Sequence, residues 1–146
     1  MDGVRHTAGH VVLANGADPV IPGLRDLRGI WTNREVTGMK TVPRRLLVLG
    51  GGPVGVEMAQ AVHRLGGEVR LVDGAPNLLV HEAKPLGEAL AQVLREEGIE
   101  LFLGATAAAA RREGDEYILE LDDGDRLSGD RLLVATGRRP ASRTSG

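Results

Sequence analysis

Arg45-Leu46-Leu47-Val48-Leu49-Gly50-Gly51-Gly52-Pro53-Val54-Gly55-Val56-Glu57-Met58-Ala59 is the stretch that decides the fold. Leu46 to Leu49 is an unbroken apolar run of strand length, the pattern of a strand covered on both faces, by helices in a parallel sheet. Gly50-Gly51-Gly52-Pro53 breaks it, and Val54, Met58, Ala59, Val62 and Leu65 then recur at helical spacing until Gly66-Gly67 closes the helix. The unit is strand, tight turn, helix. Within it Gly50, Gly52 and Gly55 match G-x-G-x-x-G, each for a physical reason. The first lets the chain turn sharply, the second lets backbone approach a pyrophosphate, and the third lets helix pack close to strand. A pyrophosphate would sit over the helix N-terminus, held by free N–H groups and the positive end of the dipole. The bare alternative, a strand-to-helix connector, does not require small residues at all of these places.

Working outward, Glu68-Val69-Arg70-Leu71-Val72 is a second strand running into Asp73-Gly74. A second helix follows, begun by Pro85 and capped by Gly98, with Leu86, Ala89, Leu90, Val93 and Leu94 predicted on its apolar face. Ile99 to Leu103 completes βαβαβ, the mononucleotide-binding half of a doubly wound sheet. From Ala105 to Leu127 the rhythm changes to short alternating strands separated by Glu113-Gly114-Asp115 and Asp122-Asp123-Gly124, a three-stranded antiparallel β-meander. Arg131-Leu132-Leu133-Val134-Ala135 is a last buried strand, ending at Thr136-Gly137. The expected fold is therefore α/β: a Rossmann-like parallel sheet with helices on its faces and the meander as a crossover. Before it, residues 1–43 hold one strand candidate, His10 to Ala14, an Asn15-Gly16 turn and proline-rich connecting chain, too little to enclose a core. Residues 141–146 show no pattern and are expected to be a disordered tail.

Asp73 stands 21 residues after Gly52, at the end of the second strand. An acidic residue there accepts both ribose hydroxyls of a bound dinucleotide and repels a 2′-phosphate, which favours NAD(H) over NADP(H). Gly74, Ala75, Pro76 and Asn77 follow, so no arginine stands ready to clamp a phosphate. The alternative is that Asp73 is a turn residue before Gly74.

Composition narrows the function classes. Hydrophobic residues at 42% and charged residues at 26% are those of an ordinary globular chain, and no apolar run reaches membrane-spanning length. A net charge of −2 and only three aromatic residues, Trp31, Phe102 and Tyr117, argue against a nucleic-acid partner. No secretory signal is visible, so a cytoplasmic setting is expected. The chain has no cysteine, hence no disulfide and no thiol redox centre. His6, His10, His63 and His81 lack metal-ligand spacing, and Asp122-Asp123-Gly124-Asp125 lacks the sixth-place glycine and terminal glutamate of a calcium loop, so no metal site is expected. No catalytic nucleophile is assigned either.

Gly50-Gly51-Gly52-Pro53-Val54-Gly55-Val56-Glu57-Met58-Ala59, followed much later by Leu132-Leu133-Val134-Ala135-Thr136-Gly137-Arg138-Arg139-Pro140, resembles the NAD-binding domain of the FAD-dependent pyridine nucleotide-disulphide oxidoreductases, the family of dihydrolipoamide dehydrogenase and mercuric reductase. The resemblance runs from about Val11 to Pro140. It implies that residues 44–140 are the NAD(H)-binding domain, and that residues 1–43 are the tail of a split FAD-binding domain plus the crossover linker. It implies dinucleotide contacts at Gly50, Gly51, Gly52, Pro53, Val54, Gly55, Asp73, Gly74, Ala135, Thr136 and Gly137. Gly137 could also simply end a strand. Glu57 matches the glutamate that lies beside the nicotinamide and pairs with a lysine of the FAD domain; a charge favourable to the helix dipole is the plainer reading. Pro53 takes the place of a tyrosine that gates the nicotinamide pocket in several members. Ala14-Asn15-Gly16 stands where the family has Ala-Thr-Gly near FAD, or is only a turn. The FAD-binding glycine motif, the redox cysteine pair and the dimerisation domain with its His-Glu pair are missing from this sequence. The expectation is an NAD(H)-binding domain that positions NADH for hydride transfer to flavin in a parent oxidoreductase, with FAD-binding and dimerisation domains as its partners, and that is inactive alone. Two other readings stay open: a non-enzymatic Rossmann NAD-sensing module and a Rossmann methyltransferase.

Overall fold

The computed structural model describes residues 5, 7–10, 12, 16–19 and 27–140. The strand expected over His10 to Ala14 falls mostly outside the described residues, as do Asn15 and the tail 141–146; His10 and Val12, which are described, carry no regular structure. The chain runs β1 (Ala17–Pro19), α1 (Asn33–Thr37), β2 (Arg45–Leu49), α2 (Pro53–Arg64), β3 (Glu68–Asp73), α3 (Lys84–Glu97) and β4 (Glu100–Leu103). It continues through β5 (Ala107–Glu113), β6 (Glu116–Leu121), β7 (Arg126–Gly129), β8 (Arg131–Val134) and β9 (Arg138–Pro140).

Four strands form a parallel sheet in the order β4-β3-β2-β8, and β5-β6-β7 form an antiparallel sheet of their own. The α/β class, the parallel sheet and the three-stranded meander are as the sequence predicts. Trp31 extends the parallel sheet beyond β8, with Trp31 N–H donating to Leu132 O at 2.8 Å and Val134 N–H to Trp31 O at 2.8 Å. β1 and β9 pair antiparallel, Ala17 opposite Pro140 and Pro19 opposite Arg138. That pairing leaves no local trace in the sequence, whereas the short helix α1, not expected from it, carries a capping box at Thr32-Asn33-Arg34-Glu35.

The layering differs from expectation in one respect. Among the described residues helices cover one face and the meander the other. Along β2 the side chains alternate: Leu46 and Val48 point into a cluster with Val56, Ala59 and Val62 of α2 and Ala91 and Leu94 of α3, whereas Leu47 and Leu49 meet Tyr117, Leu119, Leu121 and Leu127 of the meander. A fully apolar strand requires two dry faces but does not say what dries them. Each wholly buried leucine, such as Leu71 or Leu119, contributes about 1.5–3 kcal/mol.

The buried face of α3 is a second correction. Gly87, Ala91 and Leu94 are buried, while Leu86 and Val93, expected inside, are 59% and 45% exposed. The helix seats on the loop before it: a Cβ on Gly87 would lie 2.2 Å from the carbonyl oxygen of Leu78. Close packing on backbone selects the small residues, so the larger apolar ones turn outward. No helix among the described residues is long and apolar enough to cross a membrane.

Candidate functional site

Strands β2, β3 and β8 end side by side at the C-terminal edge of the parallel sheet, where Gly50 N–H donates to Val72 O and Ala135 N–H to Leu49 O, both at 2.8 Å. The chain leaves β2 through Gly50 at φ 116°, in the region that favours glycine; a Cβ there would meet the Ala135 carbonyl oxygen at 2.5 Å. Gly55, on the buried side of α2, faces the same turn so closely that a Cβ would stand 1.9 Å from the Gly50 carbonyl oxygen. Gly52 is different. Nothing lies within 4 Å of its missing Cβ, so its backbone faces open space.

That space is a cleft of 410 Å³ lined by Leu49, Gly50, Gly52, Pro53, Val54, Val72, Asp73, Gly74, Leu79, Val80, His81, Glu82, Ala135, Thr136 and Gly137. It has the size of a small-molecule site and lies where ligands bind in open α/β sheets, outside the carboxyl ends of the strands. A smaller hollow of 40 Å³ adjoins it, bounded by Asn33, Val54, Val134, Ala135, Gly137 and Arg138. Helix α2 begins at the cleft with Gly52 as its N-cap and Pro53 at its start. The first bond of its ladder runs from Val56 N–H to Gly52 O at 3.0 Å. The N–H groups of Val54 and Gly55 therefore precede the ladder, at the positive end of the helix dipole.

Nine of the twelve residues singled out by the sequence line this cleft: Gly50, Gly52, Pro53, Val54, Asp73, Gly74, Ala135, Thr136 and Gly137. Gly51 lies behind it, Gly55 is buried in the turn, and Glu57 is exposed on α2. The dipole reading of Glu57 does not hold. The helix starts at Pro53 and has no acidic residue in its first turn, so Glu57 is a turn further on. It has no hydrogen-bond or ion-pair partner among the described residues.

Leu79, Val80, His81 and Glu82 were not anticipated. They belong to the loop between β3 and α3, which folds back over the strand ends with Leu79 N–H donating to Gly51 O at 3.0 Å. The signal available was positional only: a loop leaving the carboxyl end of β3 starts beside Asp73. Asp73 itself is part-buried. Its Oδ2 accepts from Gly51 N–H and its Oδ1 from Ala75 N–H at 2.7 Å, so it is a turn residue and a cleft residue at once. His63 lies far from this edge, its ring nitrogens 3.1 Å from Gly67 O and 2.6 Å from Glu97 O, where it ties the C-terminal ends of α2 and α3 together.

Comparison with known proteins agrees with this geometry. Mercuric reductase of Bacillus cereus is 36% identical over 146 residues, covering 96% of this chain and 23% of that protein. Dihydrolipoyl dehydrogenase of Thermus scotoductus is 33% identical over 153 aligned residues, covering 100% of this chain and 33% of that one. The HOCl-induced flavoprotein disulfide reductase RclA of Escherichia coli superposes with a TM-score of 0.78 at 28% identity, over 87% of this chain and 30% of its own. The chain thus spans between 23% and 33% of the length of these curated relatives. A family model described as pyridine nucleotide-disulphide oxidoreductase matches residues 1–145, and the chain belongs to that family.

Proposed function

We propose that residues 44–140 form an NAD(H)-binding domain that holds the dinucleotide for hydride transfer to a flavin carried by other segments of a longer flavoprotein. In this reading residues 1–43 are the end of that protein's split FAD-binding domain and the crossover, and its FAD-binding and dimerisation domains are the partners. The observation that carries it is the single cleft shared by the glycine turn, Asp73 and Ala135-Thr136-Gly137, two motifs far apart in sequence.

The residues fit the ligand's parts. Open space at Gly52, beside the N–H groups of Val54 and Gly55, suits a pyrophosphate that must approach backbone. A carboxylate has about four lone-pair sites, and Asp73 commits two to Gly51 and Ala75, which leaves two for ribose hydroxyls. Among the described residues the larger cleft is lined by two carboxylates, Asp73 and Glu82, and by no lysine or arginine, so a 2′-phosphate would meet repulsion without a clamp from them. Exposed and unpaired, Glu57 is free to meet a lysine of the flavin domain. Bound NADH supplies the hydride; this chain's residues bind it, orient it and hold its charges. With no cysteine, the chain alone lacks a disulfide to reduce and should not turn over.

Calorimetric titration with NADH, NADPH and S-adenosylmethionine tests the reading. NADH should bind, NADPH more weakly and S-adenosylmethionine not at all. Tighter NADPH binding, or none by either dinucleotide, would overturn it, and a ligand-dependent change of oligomeric state would favour a sensing module instead.

A further inference from the structure

Gly51 is held through both of its backbone groups. Its N–H donates to Asp73 Oδ2, and its carbonyl accepts from Leu79 N–H at 3.0 Å. The fit is close, since a Cβ on Gly51 would lie 2.9 Å from Leu78 Cδ2 and 3.0 Å from Asp73 Oδ2. Leu79 reaches its place at φ 51°, the one positive φ of a non-glycine residue among those described, so the loop adopts an unfavourable conformation to present that N–H. A hydrogen bond from Gly51 N–H to a carboxylate also removes that N–H from any ligand. The N–H groups of Val54 and Gly55, which precede the ladder of α2, follow Gly51 directly through the Gly52 N-cap and Pro53.

We propose that Asp73 and the Leu79 peptide are positioning elements for the pyrophosphate cradle, so that Asp73 acts on the phosphate half of the ligand as well as on the ribose beside it. This rests on the dinucleotide reading of the cleft. A charge-assisted hydrogen bond fixes its partner more strongly than a neutral one, and a preorganised donor set binds an anion without first having to be ordered. If Asp73 served only the ribose, a ligand without ribose hydroxyls would not sense its loss. If it holds the turn, every phosphate-bearing ligand at this site would.

The experiment pairs NADH with its analogue lacking the 2′- and 3′-hydroxyls of the adenosine ribose, each titrated into the wild-type chain and into Asp73→Ala and Asp73→Asn. The clamp predicts that Asp73→Ala weakens both ligands, the analogue by about tenfold, and that Asp73→Asn, which keeps one acceptor, recovers part of this. Equal affinity of the analogue for wild type and Asp73→Ala would overturn the proposal. Hydrogen exchange of the Gly51 amide in the ligand-free proteins decides independently: protection in wild type lost in Asp73→Ala supports the clamp, and an unprotected wild-type amide contradicts it. If the wild type binds neither ligand, the dinucleotide reading fails, and the exchange result still decides the clamp.

Discussion

The two edges of the parallel sheet solve the same problem in opposite ways. At the N-terminal edge the chain satisfies its own backbone. Asp130 accepts from the N–H groups of Arg44 and Arg45, each at 3.1 Å; Arg45 pairs with Glu116, and Arg70 with Glu100 at 3.1 Å and with Ser128 O at 3.4 Å. Gly129 closes against this edge, where a Cβ would lie 2.8 Å from Arg45 O. At the C-terminal edge side chains are withheld. Glycines line the turn, N–H groups of the first turn of α2 precede its ladder, and a cleft stands open. One edge is closed by the protein's own groups and the other is left open as a cleft, which is how a stable fold can still leave room for a preorganised site.

This contrast can be broken at either end, and the largest effect comes from filling the turn itself. Gly55→Val would force side-chain atoms against the Gly50 carbonyl, and should cost about 3 kcal/mol or more of stability together with dinucleotide binding, read by denaturant unfolding and titration. Asp130→Ala attacks the closed edge. It strips two backbone N–H groups of a charged acceptor and should cost about 1–3 kcal/mol while leaving NADH affinity unchanged in the folded fraction. The capping box of α1 is weaker. Thr32 donates from its backbone and hydroxyl to Glu35 at 2.7 and 2.6 Å, and these bonds hold the Glu35 carboxyl below the usual carboxylate range, the hydroxyl most of all. A lowered pKa stabilises the fold above the unfolded value and is lost as pH falls through the folded one. Glu35→Gln should therefore cost up to about 1 kcal/mol at neutral pH, and the difference from wild type should shrink below about pH 4 in urea melts. The smallest effect on stability, within about 0.5 kcal/mol, is expected for Gly52→Ala, whose φ of −75° suits alanine and whose Cβ meets nothing.

Most of the open edge was legible in the sequence, because its parts are local. A strand, three glycines and a helix announce themselves by spacing, and Asp73 is found by counting from them. What the sequence concealed depends on distant partners. That β6 and β7 dry one face of β2 could not be told from Leu46 to Leu49, which would look the same under helices. Gly87 took the buried face of α3 because the Leu78 carbonyl presses there, a contact that periodicity does not record. Leu79 to Glu82 enter the cleft through one backbone bond to Gly51 and carry no motif. The pairing of β1 with β9 joins residues 17–19 to 138–140, beyond the reach of any window.

Whether the open edge is a dinucleotide site is decided by NADH titration of the wild-type chain beside Gly52→Val. The wild type should bind NADH more tightly than NADPH, and Gly52→Val should stay folded yet lose binding, because its side chain would occupy the open space at Gly52. Undiminished NADH affinity in a folded Gly52→Val chain would contradict the dinucleotide reading.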